Sequence, residues 1–196
     1  MIRFFDILFS LIGLIILIPL FIVISIAIKI ESKGSVFYIQ HRIGKNGKGF
    51  KLFKFRSMFI GSEKKGLITI GNSDSRITRI GKFIRAYKID ELPQLVNVLI
   101  GDMSMVGPRP EVKKYVDLYT IEQSKILNVR PGITDDASIY FRNENELLSL
   151  VDNPEEYYIQ VILPHKINLN MAFINNPSIA KYFSVIYKTI IVTLKE

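Results

Sequence analysis

The chain has 196 residues and a mass of 22.5 kDa, the size of one ordinary domain. At 48% hydrophobic and 22% charged residues, with mean hydropathy +0.25, it is too apolar for disorder or low complexity and too charged to be buried wholly in a bilayer. It has no cysteine and only His41 and His165, which excludes disulfide scaffolds, thiol nucleophiles and Cys-based zinc sites; a metal would be held by oxygen, as Mg²⁺ or Mn²⁺ are. The net charge of +8 is concentrated in residues 29–88, where 15 Lys and Arg face only Glu31, Glu63 and Asp74. A basic block directly after an apolar segment points to a membrane surface, a polyphosphate ligand or both, with nucleic acid still open at this level.

Residues 7–28 form that apolar segment: 22 residues without a charge, interrupted only by Ser10, Gly13, Pro19 and Ser25. This is long enough to cross a bilayer. A secretory signal fits poorly, because the preceding charges are Arg3 beside Asp6 and no small-residue cleavage site follows. Two arrangements are open. The segment spans the membrane, or Pro19 breaks the helix so that it enters and leaves by one face. In both, the basic block places the following domain on the cytoplasmic side.

Beyond it, β-rich runs at 36–38 and 50–55 flank Gly44-Lys-Asn-Gly-Lys-Gly49, which predicts a β-hairpin with a basic tip. Residues 61–75 read as a surface loop. Residues 76–88 predict a short basic helix with Ile77, Ile80, Phe83 and Ile84 on one face. A second helix starts near Leu92-Pro93 and stops at Gly101. Val106-Gly-Pro-Arg-Pro110 cannot be regular helix and predicts a stiff loop. Helices follow over 111–128, 143–151 and 155–170. A closing helix over 178–194 carries Ile179, Phe183, Ile186, Ile190 and Leu194 on one face, a pattern that fits a lipid surface and core packing equally. The expected fold is α+β and mostly helical, with a membrane anchor over residues 1–30 and a membrane-associated domain over 31–196; no internal repeat is visible.

Asp90-Glu91, following Arg85 and Lys88, is the most suggestive pair for chemistry. One carboxylate of such a pair can attack phosphorus while the other binds metal or moves a proton. Acidic residues in a first helical turn are also an ordinary capping device. Arg109 lies between two prolines, which lowers the entropy of fixing a guanidinium on a phosphate, although the same string also serves as a plain connector. Lys54 and Arg56 alternate with Phe53 and Phe55, the pattern of a strand with one solvated basic face. Lys45, Lys48 and Lys51 read as solvated or membrane-facing, and His41 and His165 receive no role.

The string Lys88-Ile-Asp-Glu-Leu-Pro-Gln-Leu-Val-Asn-Val-Leu-Ile-Gly-Asp-Met-Ser-Met-Val-Gly-Pro-Arg-Pro110 resembles the signature of the bacterial sugar transferases, monotopic polyprenyl-phosphate phosphoglycosyl transferases that begin glycoconjugate assembly. The similarity extends to Gln40-His-Arg-Ile-Gly44, Phe53-Lys-Phe-Arg-Ser-Met58, Arg76-Ile-Thr-Arg-Ile-Gly81 and Val129-Arg-Pro-Gly-Ile-Thr134. The resemblance implies that Asp90 attacks the β-phosphate of a UDP-sugar, releasing UMP, and that undecaprenyl phosphate then takes the phosphosugar from Asp90. It implies Glu91 as the second carboxylate of the pair, Mg²⁺ as cofactor with Asp90 and Glu91 as ligands, and Lys54, Arg85 and Arg109 as substrate-binding cations. It also implies a re-entrant helix broken at Pro19, and a place on the cytoplasmic face of the bacterial inner membrane. The chain departs from the family pattern at Ile18, where a Ser is frequent, and at Asp135-Asp-Ala-Ser-Ile139, where many members continue Gly-Trp-Ala-Gln; that loop and Phe141-Arg-Asn-Glu144 are expected to shape the sugar and nucleotide pocket. With no large multi-helix segment before the anchor, it resembles the minimal catalytic form. The donor sugar, the downstream glycan and the oligomeric state, a homodimer included, are left open. Two rivals are a polyprenyl-phosphate enzyme without a covalent intermediate and a membrane-tethered nucleic-acid-binding or scaffolding module. The second explains the basic block but not the Asp90-Glu91 pair, and no helix-turn-helix or aromatic RNA-binding signature is present; no nucleic-acid partner is expected.

Overall fold

The first element of the computed structural model, which describes residues 1–62 and 74–194, is one long helix, α1 (Ile2–Glu31). Most of the predicted loop at 61–75, together with Lys195 and the side chain of Leu194, lies outside the described residues. By length and composition α1 could cross a membrane, and Ile15, Ile16, Ile22 and Val23 leave an apolar flank exposed. Pro19 sits inside α1 without ending it, so the expected break is not an interruption of the helix. An interior proline costs about 3 kcal/mol, which a long helix fastened at both ends can absorb.

The predicted hairpin is β1 (Phe37–Ile43) antiparallel to β2 (Gly49–Phe55), with Tyr38 opposite Lys54 and an exposed tip at Lys45–Gly47. The basic helix is α2 (Arg79–Ala86), started by the Thr78 hydroxyl, which accepts from the Gly81 N–H at 2.8 Å. The next helix is α3 (Gln94–Ile100), ended by Gly101 at φ +103°, a conformation that glycine adopts without strain. β3 (Ser104–Val106) then pairs in parallel with β4 (Gly132–Thr134), a second small sheet with no local signal in the sequence.

Both ends of α1 are fastened to this body. At its start the Arg3 guanidinium donates to the carbonyls of Val98 at 2.6 Å and Leu99 at 2.9 Å, satisfying the open end of α3. One turn later Asp6, only 2% exposed, accepts from Ser104 Oγ, Met105 N and Tyr182 Oη, each at 2.9 Å. At the far end Ile24 and Ile28 pack with Phe55 and Ile84. There Glu31 accepts from the N–H groups of Arg79 at 2.6 Å and Ile80 at 2.9 Å. The expectation of a solvated Arg56 is corrected: it is buried, and its guanidinium donates to the carbonyls of Ser32 and Lys33 at the end of α1.

The helix expected over 111–128 is absent. It is replaced by α4 (Lys113–Val116) and a tight turn at Gln123–Asn128. Thr120 and Gln123 exchange side-chain–backbone hydrogen bonds, which start a new turn in competition with a continuous helix. Then come α5 (Asp136–Tyr140), α6 (Glu144–Ser149) and α7 (Pro154–Tyr157). A wide π turn at Tyr158–Ile162 leads into α8 (Leu163–Asn175), where Pro164 lacks the N–H that an α turn would use. Tyr115, Leu148, Tyr158, Ile162 and Ile167 form the core of this half. In the closing helix, α9 (Ile179–Leu194), the buried face is Tyr182 and Val185. Of the two readings open for the predicted stripe, the outward one holds at Phe183, 38% exposed, and Ile190, 51% exposed. Phe183 rests edge-on against Phe5 and Phe9 of α1.

Candidate active site

Asp90 and the cations Lys54, Arg85 and Arg109 line one cleft of about 510 Å³, between the hairpin, the end of α2 and the helices α6 and α8. Lys88, in the left-handed region at φ +54°, turns the chain out of α2 into a tight turn at Ile89–Glu91. That turn sends its two carboxylates to different surroundings. Asp90 lines the cleft, and among the described residues no hydrogen-bond donor is seated on its carboxylate. Burial raises its pKa above the ordinary carboxylate range; the attraction of Lys54 opposes this only in part, and the neighbouring Glu91 charge adds to the rise.

Glu91 lies behind Asp90 and is fully engaged. Its Oε1 accepts from Lys54 Nζ at 3.0 Å and from Arg109 Nη2, and its Oε2 accepts from Arg109 Nη1 at 3.0 Å. Burial would raise the Glu91 pKa, but Arg109 and Lys54 together outweigh it and hold the group well below the usual range. Burial pulls the Lys54 ammonium down from its ordinary value, against the support of Glu91. Glu91 therefore acts as an anionic post that holds two cations beside Asp90. Arg85, in the last turn of α2, faces the cleft and completes the set.

Arg109 reaches this post because two distant strings lie backbone to backbone. Gly107 N donates to Thr134 O at 3.0 Å, and Gly132 N donates to Pro108 O at 3.0 Å. A Cβ on Gly132 would stand 2.1 Å from Gly107 N, so neither side of this contact tolerates a side chain. The Arg109 N–H donates to Asp135 Oδ2 at 2.9 Å, and the same oxygen accepts from Asn170 Nδ2 at 2.7 Å. Asp135, 2% exposed, belongs to the loop that departs from the family pattern and is expected to shape the pocket; its hold on the Arg109 backbone has no signal in the sequence. Asp135→Ala would strand these buried donors at a cost of roughly 1–3 kcal/mol and release Arg109. Thermal melting should fall and activity should drop about tenfold, with Asp135→Asn intermediate.

Further cleft residues lacked a strong sequence signal. Arg42 donates to Pro110 O at 2.9 Å and to Glu111 Oε2 at 3.3 Å, and Tyr158 Oη donates to Glu111 Oε1 at 2.7 Å. Lys166 pairs with Glu144 and sits 5.1 Å from the Tyr158 ring centre. Arg42 falls inside the Gln40–Gly44 motif, Glu111 follows the Pro110 motif directly, and Glu144 closes the Phe141-Arg-Asn-Glu144 segment expected at the pocket, whereas Tyr158 and Lys166 come from helices that carry no motif. His41 is exposed on β1, and the ring of His165 packs against Tyr140 and Phe141.

The family model for bacterial sugar transferases matches residues 1–196. The chain belongs to the bacterial sugar transferase family. It is 52% identical over 132 residues, 67% of this chain and 70% of the relative, to a Bacillus subtilis (strain 168) protein provisionally named an undecaprenyl-phosphate N-acetylgalactosaminyl 1-phosphate transferase. It is 44% identical over 140 residues, 70% of this chain, to the UDP-N-acetylgalactosamine-undecaprenyl-phosphate N-acetylgalactosaminephosphotransferase of Aeromonas hydrophila. It is 39% identical over 176 residues, 88% of this chain, to the UDP-glucose:undecaprenyl-phosphate glucose-1-phosphate transferase of Klebsiella pneumoniae. The match spans only 33% of the Aeromonas protein and 38% of the Klebsiella protein.

The Mg²⁺ implied for a bacterial sugar transferase can be tested against these side chains. Among the described residues no group of three His, Cys, Asp or Glu forms a cage. Both Glu91 oxygens already accept from Lys54 and Arg109, so the unengaged carboxylate is that of Asp90. One carboxylate completed by phosphate oxygens and water is an ordinary Mg²⁺ arrangement, and to that extent the donor set fits.

Proposed function

We propose that this bacterial sugar transferase moves a sugar 1-phosphate from a UDP-sugar to undecaprenyl phosphate through a phosphosugar ester on Asp90, with release of UMP. The carrying observation is the asymmetric carboxylate pair, with Asp90 open to a cation-lined cleft and Glu91 locked to Lys54 and Arg109. In the first stage an Asp90 oxygen attacks the β-phosphorus, and the bond from that phosphorus to the oxygen bridging to UMP breaks. UMP leaves with that oxygen. In the second stage a phosphate oxygen of undecaprenyl phosphate attacks the same phosphorus, the Asp90–phosphorus ester breaks, and the carboxylate is restored. Lys54, Arg85 and Arg109 neutralise the approach of one anion to another and stabilise charge on the transferring phosphoryl oxygens. Mg²⁺, held by Asp90 and the donor diphosphate when bound, would supply further charge neutralisation.

The activity is tested by UMP release from the detergent-solubilised protein with Mg²⁺, undecaprenyl phosphate and a panel of UDP-sugars. UDP-N-acetylgalactosamine and UDP-glucose lead the panel, because relatives carry those names. Omitting the lipid should leave a phosphosugar adduct visible by mass spectrometry. Turnover without any adduct would favour a transferase lacking the covalent stage, and no UMP release from any donor would overturn the reading.

The same proposal places the protein on the cytoplasmic face of the inner membrane, with both ends of α1 at that face. The support is that Arg3 and Asp6 at one end of α1, and Glu31 at the other, bond to the same body. A 30-residue helix is about 45 Å long, so a membrane-crossing α1 would separate those contacts by a bilayer. The chain has no native cysteine. Single cysteines in a short N-terminal extension and at Lys113 should therefore label from the same side of sealed vesicles; labelling from opposite sides would overturn the topology.

A further inference from the structure

The cleft is chemically polarised. At one end are Glu111, Tyr158 and the Lys166–Glu144 pair, a wall of hydrogen-bonding groups. The opposite rim, formed by Phe37, Tyr38, Phe59 and Ile60, is apolar and exposed, with Ile60 at 72%. Asp90 and its cations also line this one cleft.

The apolar rim is continuous with the membrane helix. Ile60 crowds the turn directly after α1, where a Cβ on Gly34 would stand 2.4 Å from Ile60 Cδ1. The Phe37 ring stacks on Phe55 at 5.3 Å, and Phe55 meets Phe21 of α1 edge-on at 5.1 Å. A run of rings therefore leads from the α1 flank to the cleft mouth. The adjoining backbone is tied to the basic side of the cleft, since Phe59 N donates to Arg76 O at 2.9 Å. A surface that is apolar outside and cationic inside matches a ligand with a hydrocarbon chain on a phosphate, and a nucleotide sugar has no such chain.

We propose that Phe37, Tyr38, Phe59 and Ile60 form the port for the polyprenyl acceptor. Its first isoprene units lie on this rim, its phosphate extends toward Lys54, Arg85 and Arg109, and the nucleotide sugar occupies the Glu111–Tyr158 end. This assignment rests on the phosphoglycosyl-transfer reading and divides one cleft between the two substrates of that reaction. It also lets both substrates meet the same Asp90 in turn.

The test uses full-length Ile60→Ser and Phe59→Ala with Ile60→Leu as the conservative control, all in mixed micelles. The port predicts that adduct formation from the UDP-sugar in the absence of lipid stays at the wild-type rate. It predicts that KM for undecaprenyl phosphate rises about tenfold in the first two variants, that KM for the UDP-sugar is unchanged, and that Ile60→Leu behaves as wild type. Geranyl phosphate, a short and soluble acceptor, separates port contact from membrane attachment: contact predicts that its KM rises as well. Unchanged acceptor KM values in both variants, a rise confined to the long-chain acceptor, or a defect in adduct formation would each overturn the port. Failure of the wild-type protein to form adduct or release UMP would instead overturn the reading on which the port rests.

Discussion

Asp90→Asn is expected to abolish both UMP release and the covalent adduct, a loss on the order of 10³-fold or more. The substitution keeps the volume and one carbonyl oxygen but removes the negative charge and most of the nucleophilicity. Because Lys54 and Arg109 are held by Glu91 and not by Asp90, the cation cluster should survive it. The variant should therefore still bind donor and melt like wild type, which separates lost chemistry from lost structure. Glu91→Gln is the informative contrast: it leaves the attacking group in place but weakens the post that positions two cations. Appreciable adduct in Asp90→Asn would remove this residue from the first stage. The same result for Glu91→Gln with a lower rate would agree with a positioning role.

The site was legible in the sequence to the extent that its residues sit in short strings with unusual composition. Asp90-Glu91 and the proline-flanked Arg109 stand out in this way, and Lys54 and Arg85 were named through the family resemblance. All except Glu91 line the cleft, and Glu91 stands directly behind it. The seat of Arg109 was not legible, because it depends on β3 meeting β4 across a long stretch of chain and on Asp135, whose partner Asn170 lies on a separate helix. Parallel pairing of two three-residue strands leaves no periodicity to read. The errors have local causes. Over 111–128 apolar spacing suggested a helix, while Thr120 and Gln123 satisfied the backbone in another way. In α9 the stripe fits a lipid surface and core packing equally, and what decides its direction is distant in sequence: Tyr182 turns inward to hydrogen-bond Asp6. Arg56 looked like half of a solvated pair because the sequence does not show that the end of α1 offers it carbonyl acceptors.

The latch at the start of α1 supports a second large effect. Ser104 Oγ, Met105 N and Tyr182 Oη all donate to one oxygen, Oδ1 of Asp6, and thereby join α1 to β3 and α9. Asp6→Ala leaves three largely buried donors without an acceptor and should destabilise the protein by about 3 kcal/mol or more, since each stranded buried group costs roughly 1–3 kcal/mol. For a chain of this size that is a fall of roughly 6–12 °C in melting temperature. Asp6→Asn still offers a single oxygen to all three donors and should lose only the charge-assisted part, a much smaller drop. Between them the two variants separate hydrogen-bond geometry from charge. The latch also bears on topology, because with Asp6 gone the start of α1 is held to the body by Arg3, by ring contacts such as Phe5 on Phe183 and by the apolar packing of Ile2, Phe5 and Phe9. A cysteine in an N-terminal extension should then become partly reactive from the opposite side of the membrane in Asp6→Ala but not in Asp6→Asn. If Asp6→Ala melts at the wild-type temperature and labels only from the original side, the latch does not fix α1, and the burden of holding the helix falls on Glu31, Arg56 and the Ile24–Ile28 contacts at its other end.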